Sequence, residues 1–388
     1  MKIETCQITA LAYGGAGIGR LPDGRVCFVP LTLPGELVEV SLVEEKKRFV
    51  RGRLNKILSS SDSRIDCECP HFGSCPGCVY RQCTYQSEIY WKDRQLRDFL
   101  HRSGLVTEDA FQEPFAAPET DFYRNKLTLH RSETGAYGYY ALDNETILPV
   151  AGCRLAKKEL NELIPSASGE NALLRFTDIN GARQISKEAP GILQEDLPGV
   201  GIFEVSGSGF FQTNLSVAAE LVRQVKKFAS GSGEILELYC GVGVFSIALA
   251  KDDPSLHCTG IELNKRAVDF AISNAQRHNV ADRCRFFAGD AGRTPAKFRR
   301  KKNFTLLLDP PRSGMEKDTL KKVVALGAEK VIYISCAADT LGRDLKEFVA
   351  AGYQVRSVQM LDMFPRTAHF EVLTVLEKLK IRRVDHEN

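Results

Sequence analysis

Cys336 is the residue whose type and position most directly suggest chemistry. It closes the apolar run 330–336, which has the composition of a buried β-strand. A thiolate is a strong nucleophile, so a thiol at a strand end can attack an electrophilic carbon. The Asp–Pro–Pro–Arg stretch at 309–312 follows an earlier strand-like run, 304–308. In an open α/β sheet both stretches would lie at the carboxyl edge, where ligands bind. A buried structural cysteine is the ordinary alternative.

A thiol that has added to a carbon–carbon double bond leaves again by elimination, and this step needs a base that removes a proton. The segment 362–371, DMFPRTAHFE, supplies three candidate bases, which are Asp362, His369 and Glu371. Glu371 immediately precedes the apolar run 372–376, where a carboxylate is out of place. The alternative for Glu371 is an exposed charge at a strand end.

A glycine-rich turn at 241–243 links a strand-like run to a helical one. Such a turn lets the backbone approach a ligand at the helix N-terminus. Two later strand-like runs end near Glu262 and Asp290, whose carboxylates could accept hydrogen bonds from ribose hydroxyls and an adenine amino group. Ser246 replaces the third glycine of a dinucleotide motif. This pattern favours S-adenosylmethionine over NAD, with a helix N-cap role as the alternative for Glu262.

Cysteines crowd into one short stretch of the chain. Cys69, Cys75 and Cys78 have the spacing of metal ligands, with proline and glycine turns between them. Zinc and iron–sulfur clusters both accept four thiolates. The C-x3-C-x2-C spacing of radical S-adenosylmethionine enzymes is absent. Spacing alone leaves Cys67 and Cys83 as eligible further ligands, and zinc as an alternative metal.

Composition excludes several classes of protein. A 388-residue chain with 12 cysteines is too long for a small disulfide scaffold. It has no apolar stretch of about 18 residues, the minimum for a transmembrane helix, and no secretory signal, so a cytoplasmic location without membrane contact is expected. The net charge of +3 permits nucleic-acid binding without requiring it.

The patterns predict a multidomain α+β protein. Residues 1–60 form short β-prone runs typical of a small OB-like barrel, with a basic stretch at 46–53 that could contact phosphates. Residues 61–212 form a β-rich central domain, within which 85–104 has the period of an amphipathic helix. From 213 to 388 strands and helices alternate, which indicates a Rossmann-like, doubly wound α/β domain.

Two blocks around the candidate nucleophile and base carry a family resemblance. YISC-x-x-DTLGRDL and DMFPRTAHFE, with ELYCGVGVFSIALA, DPPRSG and GFFQTN, resemble the RNA uracil-5-methyltransferase family, which modifies 23S ribosomal RNA and tRNA. The resemblance implies that Cys336 attacks carbon 6 of uracil and that Glu371 removes the proton from carbon 5. It also implies that S-adenosylmethionine is the methyl donor. The implied cofactor-binding residues are Gln212, Tyr239, Glu262, Asp290 and Asp309.

The same resemblance extends to the N-terminal half. It implies that residues 1–60 are a TRAM domain, an RNA-binding barrel. It implies that the helix at 85–104 packs on the catalytic domain, which would make the central domain discontinuous. Arg124 and Lys126 become candidate RNA contacts. The implied ligands of a structural [4Fe–4S] cluster are Cys69, Cys75, Cys78 and Cys153.

The chain departs from the family pattern at two places. Ala337-Ala338 replaces an Asn–Pro or Asp–Pro pair, which predicts a less rigid loop, and Val244 replaces an asparagine. The expected enzyme is a monomer that methylates 23S rRNA, with tRNA as the alternative substrate. Two further hypotheses are a methyltransferase with a different substrate and an RNA-binding protein with a degenerate domain, although the intact Cys336, Glu371 and Asp309 argue against the last.

Overall fold

The chain folds into two compact units. The structure, a computed structural model, describes residues 2–293, 298 and 303–379. The first unit contains the chain up to Arg97, Ala116–Ala189 and Asp362–Phe370. The second contains Asp98–Phe115, Pro190–Leu361 and the chain from Glu371 onward.

A closed barrel of five strands opens the first unit, with the strands in the order β1-β2-β3-β5-β4. Its strands are β1 Ile3–Leu11, β2 Gly17–Arg20, β3 Val26–Val29, β4 Leu37–Glu45 and β5 Phe49–Ser59. Cys6, Ile8 and Val38 are among the buried side chains that fill it. Glycine is required at position 19, where β2 pairs with β1, because a Cβ there would lie 2.4 Å from Cys6 Sγ. The predicted N-terminal barrel is confirmed.

An antiparallel five-stranded sheet, ordered β10-β9-β6-β7-β8, also belongs to the first unit. Its strands are β6 Lys126–Arg131, β7 Tyr137–Tyr140, β8 Ile147–Pro149, β9 Asn171–Thr177 and β10 Gly181–Ile185. Helix α1 spans Tyr85–Arg102, and the boundary between the two units falls within it. Helix α2 spans Lys158–Leu163 and packs its buried Leu160 against Leu129 and Leu174 of the sheet.

The second unit is built on a seven-stranded sheet that follows a two-stranded hairpin. The hairpin strands are β11 Ile192–Leu197 and β12 Gly201–Ser206. The sheet strands are β13 Glu234–Leu238, β14 His257–Glu262, β15 Cys284–Ala288, β16 Thr305–Leu308, β17 Lys330–Ser335, β18 Tyr353–Leu361 and β19 Glu371–Lys378. The helices are α3 Leu215–Ala229, α4 Val244–Asp252, α5 Lys265–Arg277, α6 Lys317–Val324 and α7 Ala338–Ala350.

The order of this sheet determines where a ligand can bind. The strands run β15-β14-β13-β16-β17-β19-β18, and only β19 is antiparallel to its neighbours β17 and β18. The direction of winding reverses between β13 and β16, which is the switch point where open α/β sheets bind ligands. The carboxyl ends of β13 to β17 therefore share one edge. The predicted doubly wound α/β sheet is confirmed.

The predicted domain boundaries at 60 and 212 remain predictions. The first unit combines the barrel with the cysteine-rich stretch and the five-stranded sheet, whereas the hairpin belongs to the second unit. Residues 380–388 lie outside the described part of the chain. Among the described helices, none has the length and apolar character needed to span a membrane.

Candidate active site

Cys336 and Glu371 lie on neighbouring strands of the second unit. Cys336 directly follows β17, and its side chain is half-buried. Glu371 begins β19 and is 7% exposed. The antiparallel register pairs Ser335 with Val372, so one further step brings Cys336 opposite Glu371. The two side chains most needed for the predicted chemistry are thus brought together by strand pairing.

Burial and negative charge dominate the electrostatics around this pair. Burial raises the pKa of Cys336 to about 11, with Glu371 and Asp309 adding to the increase and Arg312 opposing it. Burial, followed by the charge of Asp309, raises the pKa of Glu371 well above its usual value. Burial raises the pKa of Asp309 to about 7. All three acidic groups therefore favour their protonated forms. Arg312 is the cation that favours the Cys336 thiolate.

The loop after Cys336 makes a side-chain hydrogen bond and packs in the interior. Ser335 Oγ accepts a hydrogen bond from Ala337 N at 3.2 Å. Ala337 and Ala338 are each 3% exposed, so both pack in the interior at the start of α7. The loop is therefore contacted by a serine hydroxyl and buried, and its lower rigidity stays a prediction.

A strained turn follows β13 and leads into α4. Tyr239, Gly241 and Gly243 have φ angles of 67°, 53° and 84°. A Cβ on Gly243 would lie 2.8 Å from Phe286 Cζ, so only glycine fits there. Tyr239 N donates to Ile261 O at 2.9 Å, which holds the turn beside the end of β14.

Glu262, at the end of β14, bridges this turn to the next helix. Its Oε2 accepts a hydrogen bond from Gly241 N at 3.1 Å, and its Oε1 accepts one from Asn264 N at 2.8 Å. Asn264 is the N-cap of α5, because its Oδ1 accepts from Arg266 N at 3.0 Å. The alternative that Glu262 caps the helix is therefore wrong.

Asp290 lies beyond the end of β15, and its side chain is exposed. Its Oδ1 accepts a hydrogen bond from Gly292 N at 2.8 Å. Two large apolar side chains near these carboxylates are unusually exposed, Leu263 at 73% and Phe287 at 44%. Sequence reasoning missed both, although an apolar residue directly after a strand end, as Leu263 is, was an available signal.

The other predicted cofactor residues belong to the same unit. Tyr239 is half-buried, and burial raises its pKa to about 12, with Asp290 and Glu262 among the charges that add to the increase. Asp309 N donates to Leu238 O at 3.4 Å, so Asp309 lies beside the end of β13. Gln212 is half-buried in the segment between β12 and α3.

Asp362 is committed to other partners and is a poor candidate base. It is fully buried in the first unit, where its Oδ1 lies 2.7 Å from Lys92 Nζ and its Oδ2 accepts from Tyr85 OH at 2.8 Å. Lys92 Nζ also lies 2.7 Å from Glu88 Oε1. The half-buried His369, in the same segment, donates its backbone N–H to Thr367 Oγ1 at 3.1 Å.

The four cysteines of the predicted cluster influence one another electrostatically. Burial raises the pKa of Cys75, and negative charge on Cys153 and Cys69 adds to the increase. Burial raises the pKa of Cys78 to about 12, Arg81 opposes this, and Cys153 and Cys75 add to it. The distant Cys153 therefore lies near the three clustered cysteines.

Hydrogen-bond donors point at two of these sulfur atoms. Gly77 N donates to Cys75 Sγ at 3.4 Å, and Arg81 Nε donates to Cys78 Sγ at 3.4 Å. A Cβ on Gly77 would itself lie 3.4 Å from Cys75 Sγ. Backbone and guanidinium donors aimed at thiolates are the environment that tunes sulfur ligands.

The rival ligand Cys83 has a different environment. It is fully buried beside Leu11 and Leu33, and its thiol donates to Tyr80 O at 3.2 Å. Cys153, by contrast, is half-buried, and its N–H donates to Asn161 Oδ1 at 2.8 Å. Within 2–293, 298 and 303–379, no three His, Cys, Asp or Glu side chains come close enough to hold a single metal ion as they stand.

Three features together define a Rossmann-like enzyme domain. They are the reversal of winding between β13 and β16, the glycine turn, and the neighbouring thiol and carboxyl groups. The profile of the tRNA (uracil-5-)-methyltransferase family matches residues 200–379, and the TRAM domain profile matches residues 2–54. A Gloeobacter violaceus protein named as an uncharacterized RNA methyltransferase is 31% identical, and the alignment covers 96% of each chain. The chain therefore belongs to the RNA uracil-5-methyltransferase family, as the motifs predicted.

Two further relatives have more specific names. The 23S rRNA (uracil(1939)-C(5))-methyltransferase RlmD of Vibrio parahaemolyticus is 27% identical over 97% of this chain and 96% of its own. The crystal structure of Pyrococcus abyssi tRNA (uracil-54, C5)-methyltransferase, in complex with S-adenosyl-L-homocysteine, is 23% identical. It covers 96% of this chain and 99% of its own with a TM-score of 0.74, which shows a shared fold.

Proposed function

We propose that this enzyme methylates carbon 5 of a uridine in 23S rRNA, with S-adenosylmethionine as methyl donor, Cys336 as nucleophile and Glu371 as general base. The observation that carries the proposal is the opposition of Cys336 and Glu371 across β17 and β19. The family supplies the reaction type, and the shared edge of the sheet supplies a site for the cofactor beside the thiol.

The chemistry explains why both side chains are needed. Carbon 5 of uracil is too weak a nucleophile to take a methyl group directly. The Cys336 thiolate adds to carbon 6, forming a C–S bond and shifting electrons into an enolate that makes carbon 5 nucleophilic. S-adenosylmethionine supplies the methyl group when it is bound. Glu371 then removes the carbon 5 proton, and the electrons of that C–H bond restore the ring double bond as the thiolate leaves.

The electrostatics suit a base at position 371. A carboxylate with a raised pKa accepts a proton more readily than an ordinary one. The buried Glu371 and the neighbouring Asp309 have this property. The same negative charge disfavours the Cys336 thiolate, and the positive charge of Arg312 opposes this effect.

The cofactor is proposed to lie along the edge formed by the ends of β13 to β16. Glu262 is suited to bind the ribose hydroxyls and Asp290 the adenine amino group. The exposed Leu263 and Phe287 could cover the faces of the adenine ring. Tyr239, Asp309 and Gln212 are assigned to the cofactor from the family motifs. Val244 begins α4 with an apolar side chain, so no polar side-chain contact to the cofactor comes from that position.

Ribosomal RNA is the proposed substrate because the Vibrio relative named for 23S rRNA matches nearly the whole chain. The Pyrococcus structure, named for tRNA, supports tRNA as the alternative. In either RNA the target uracil must lie in a loop or flip out of its stack, since an enzyme cannot reach carbon 6 inside a helix.

A structural [4Fe–4S] cluster is proposed on Cys69, Cys75, Cys78 and Cys153. The electrostatic coupling of these thiols and the donors aimed at Cys75 and Cys78 support it. A four-iron cluster is wider than one ion, so its ligands stand further apart than those of zinc. The cluster would supply a rigid cross-link between sequence-distant segments, and the methylation chemistry needs no electron from it.

Trapping with 5-fluorouridine RNA tests the nucleophile directly. Fluorine cannot leave as a proton, so the wild-type enzyme with S-adenosylmethionine should remain covalently attached to the RNA, while Cys336→Ser should not. A 23S rRNA fragment and a tRNA transcript, each carrying the analogue, would distinguish the two substrates. Wild-type protein that forms no adduct with either RNA would reject the mechanism.

A further inference from the structure

The loop that follows β16 rests on helix α7, the helix that begins just after the nucleophile. Arg343 Nη2 on α7 donates to Ser313 O at 3.3 Å and to Met315 O at 2.8 Å. One guanidinium therefore holds two carbonyls of this loop. The planar fork of arginine suits it to such a two-point contact.

Asp344, the next residue on α7, joins three elements of the second unit. It is fully buried, and its Oδ2 accepts from Tyr333 OH at 2.7 Å and from Met315 N at 3.1 Å. Its Oδ1 accepts from Arg343 Nε at 2.8 Å. One carboxylate thus connects β17, α7 and the loop. Buried hydrogen bonds to a charged acceptor are strong and fix geometry.

Close packing leaves this loop little freedom. Thr340 Oγ1 lies 3.2 Å from Arg312 O and 3.1 Å from Ala337 O, so its proton can serve either carbonyl. Gly314 has a φ of 68°, and a Cβ there would lie 2.5 Å from Arg343 Nη2. The loop backbone therefore sits directly on the α7 side chains.

The loop carries Arg312, which is exposed at the surface. The charged groups that act on the Cys336 thiol are Glu371, Asp309 and Arg312, and Arg312 alone among them favours the thiolate. Thr340 Oγ1 lies between the carbonyl of Arg312 and that of Ala337, the residue after Cys336, so the backbone that carries the Arg312 charge is tied to the segment that carries the thiol.

We propose that Thr340, Arg343 and Asp344 are positioning residues that hold the 311–315 loop so that Arg312 stabilises the Cys336 thiolate. The proposal rests on the proposed role of Cys336 as nucleophile. It assigns a function to the GRDL part of the sequence, none of whose side chains takes part in the chemistry described above. These residues act through Arg312 and touch no reacting atom.

The direction of one pKa shift separates positioning from simple electrostatics. Asp344→Asn removes a negative charge from the second unit, which by Coulomb's law alone would lower the pKa of the Cys336 thiol. If Asp344 instead positions Arg312, its loss releases the loop, and the pKa of the thiol rises. The two explanations therefore predict opposite directions for the shift in the pKa of the Cys336 thiol.

Alkylation of the full-length protein by iodoacetamide measures this pKa, because only the thiolate reacts. The Cys336-containing peptide is quantified by mass spectrometry over a range of pH. Asp344→Asn should move the profile to higher pH, and alkylation below the pKa should slow about tenfold when the profile moves by one pH unit. Thr340→Val should move the alkylation profile in the same direction by a smaller amount. It provides a milder variant if Asp344→Asn fails to fold.

Two further variants complete the test. Arg312→Gln should move the alkylation profile to higher pH. Adding Asp344→Asn to Arg312→Gln should change the profile little, because both substitutions remove the same stabilisation of the thiolate. Asp318→Asn, an exposed acid on α6, loses the same charge and should leave the profile unchanged.

The proposal is overturned if Asp344→Asn leaves the Cys336 alkylation profile unchanged or moves it to lower pH. It is also overturned if the effect of Asp344→Asn adds fully to that of Arg312→Gln. Alkylation needs neither RNA nor cofactor. A failed 5-fluorouridine trap would therefore reject Cys336 as nucleophile and still leave the alkylation result to be judged separately.

Discussion

Cys336 and Glu371 each lie one residue beyond the last β17–β19 pair, Ser335 with Val372, and the negative charge of Glu371 is among the causes that raise the pKa of the thiol to about 11. The proposed reaction needs Cys336 as thiolate and later Glu371 as carboxylate. Both groups have pKa values above their ordinary range, so both required forms become more abundant as pH increases.

The single-turnover rate should therefore increase with pH from about 6 to 9, the range that lies between the ordinary carboxyl pKa and that of this thiol. Measurement at constant ionic strength with saturating RNA and S-adenosylmethionine separates this effect from binding. A rate that falls across the same range would contradict the assignment of both groups.

Glu371→Gln should separate the two halves of the reaction. The thiol can still add to uracil, but the carbon 5 proton stays in place, so a covalent RNA adduct should accumulate with ordinary RNA. Turnover should fall by about 10²- to 10⁴-fold, the usual contribution of a general base. Glu377→Gln is a matched control on the same strand, where Glu377 Oε2 accepts from Arg356 Nε at 3.2 Å near the opposite end. Near-normal turnover by Glu371→Gln would require another base.

Much of this site could be predicted from the sequence because its parts follow local rules. The strands of the α/β sheet are short runs rich in apolar residues, and the proposed functional side chains lie at their carboxyl ends. Glu262 is the last residue of β14, and Cys336 directly follows β17. The glycine turn at 241–243 is likewise visible in the sequence, since its positive φ angles favour glycine.

Features that depend on long-range pairing could not be predicted in the same way. No local pattern shows that Asp362 pairs with Lys92, 270 positions away in the chain. The same limit applies to Asp344, whose partners Met315 and Tyr333 lie on other elements. The hydrogen bond between Ser335 and the Ala337 backbone depends on a side-chain rotamer, which the residue type alone does not determine.

Lys92→Met should destabilise the first unit strongly. The ammonium group lies between two fully buried carboxylates, Glu88 and Asp362, and its loss leaves them without their shared cation. Breaking a buried ion pair from one side costs about 3–5 kcal/mol. Unfolding in urea, followed by fluorescence of Trp91 in the same unit, would measure the loss.

The effect of Lys92→Met should also depend on pH. Burial raises the pKa of Glu88 to about 7 even with Lys92 present. Above that value the variant must keep a charged Glu88 buried, whereas at lower pH protonation of Glu88 relieves the penalty. Destabilisation should therefore shrink as the pH falls from 8 to about 5, a range that begins above this pKa and ends near the ordinary pKa of a carboxyl group. Lys56→Met, at an exposed lysine of the barrel, should change stability little at any pH and serves as the control.

Two cysteine substitutions should have different effects on iron content. Cys153→Ser removes a proposed ligand, so anaerobically purified protein should lose iron and the brown colour of an iron–sulfur cluster. Cys83→Ser makes the same chemical change at a thiol that donates to Tyr80 O, and iron content should persist. Iron, inorganic sulfide and zinc would be quantified in both variants and the wild type. Zinc in a colourless wild-type protein would reject the iron–sulfur cluster and support zinc as the bound metal.

The tip of the β4–β5 hairpin should contribute to RNA binding through charge. Lys47 and Arg48 are exposed there, and neither forms an ion pair within the described part of the chain. Each contact with a single-stranded phosphate adds about 0.7 to the slope of log affinity against log salt. The double variant Lys47→Gln/Arg48→Gln should therefore weaken binding and lower that slope by about 1.4 if both residues contact phosphates.

Arg25→Gln is the matched control for this measurement. Its guanidinium already pairs with Asp23 Oδ2 at 2.7 Å and Glu45 Oε2 at 2.9 Å, so its charge is largely neutralised within the barrel. Removing it should leave the salt slope nearly unchanged, since a neutralised cation releases few counterions from RNA. Equal changes in slope for the hairpin variant and for Arg25→Gln would indicate that net charge, rather than the hairpin tip, governs RNA affinity.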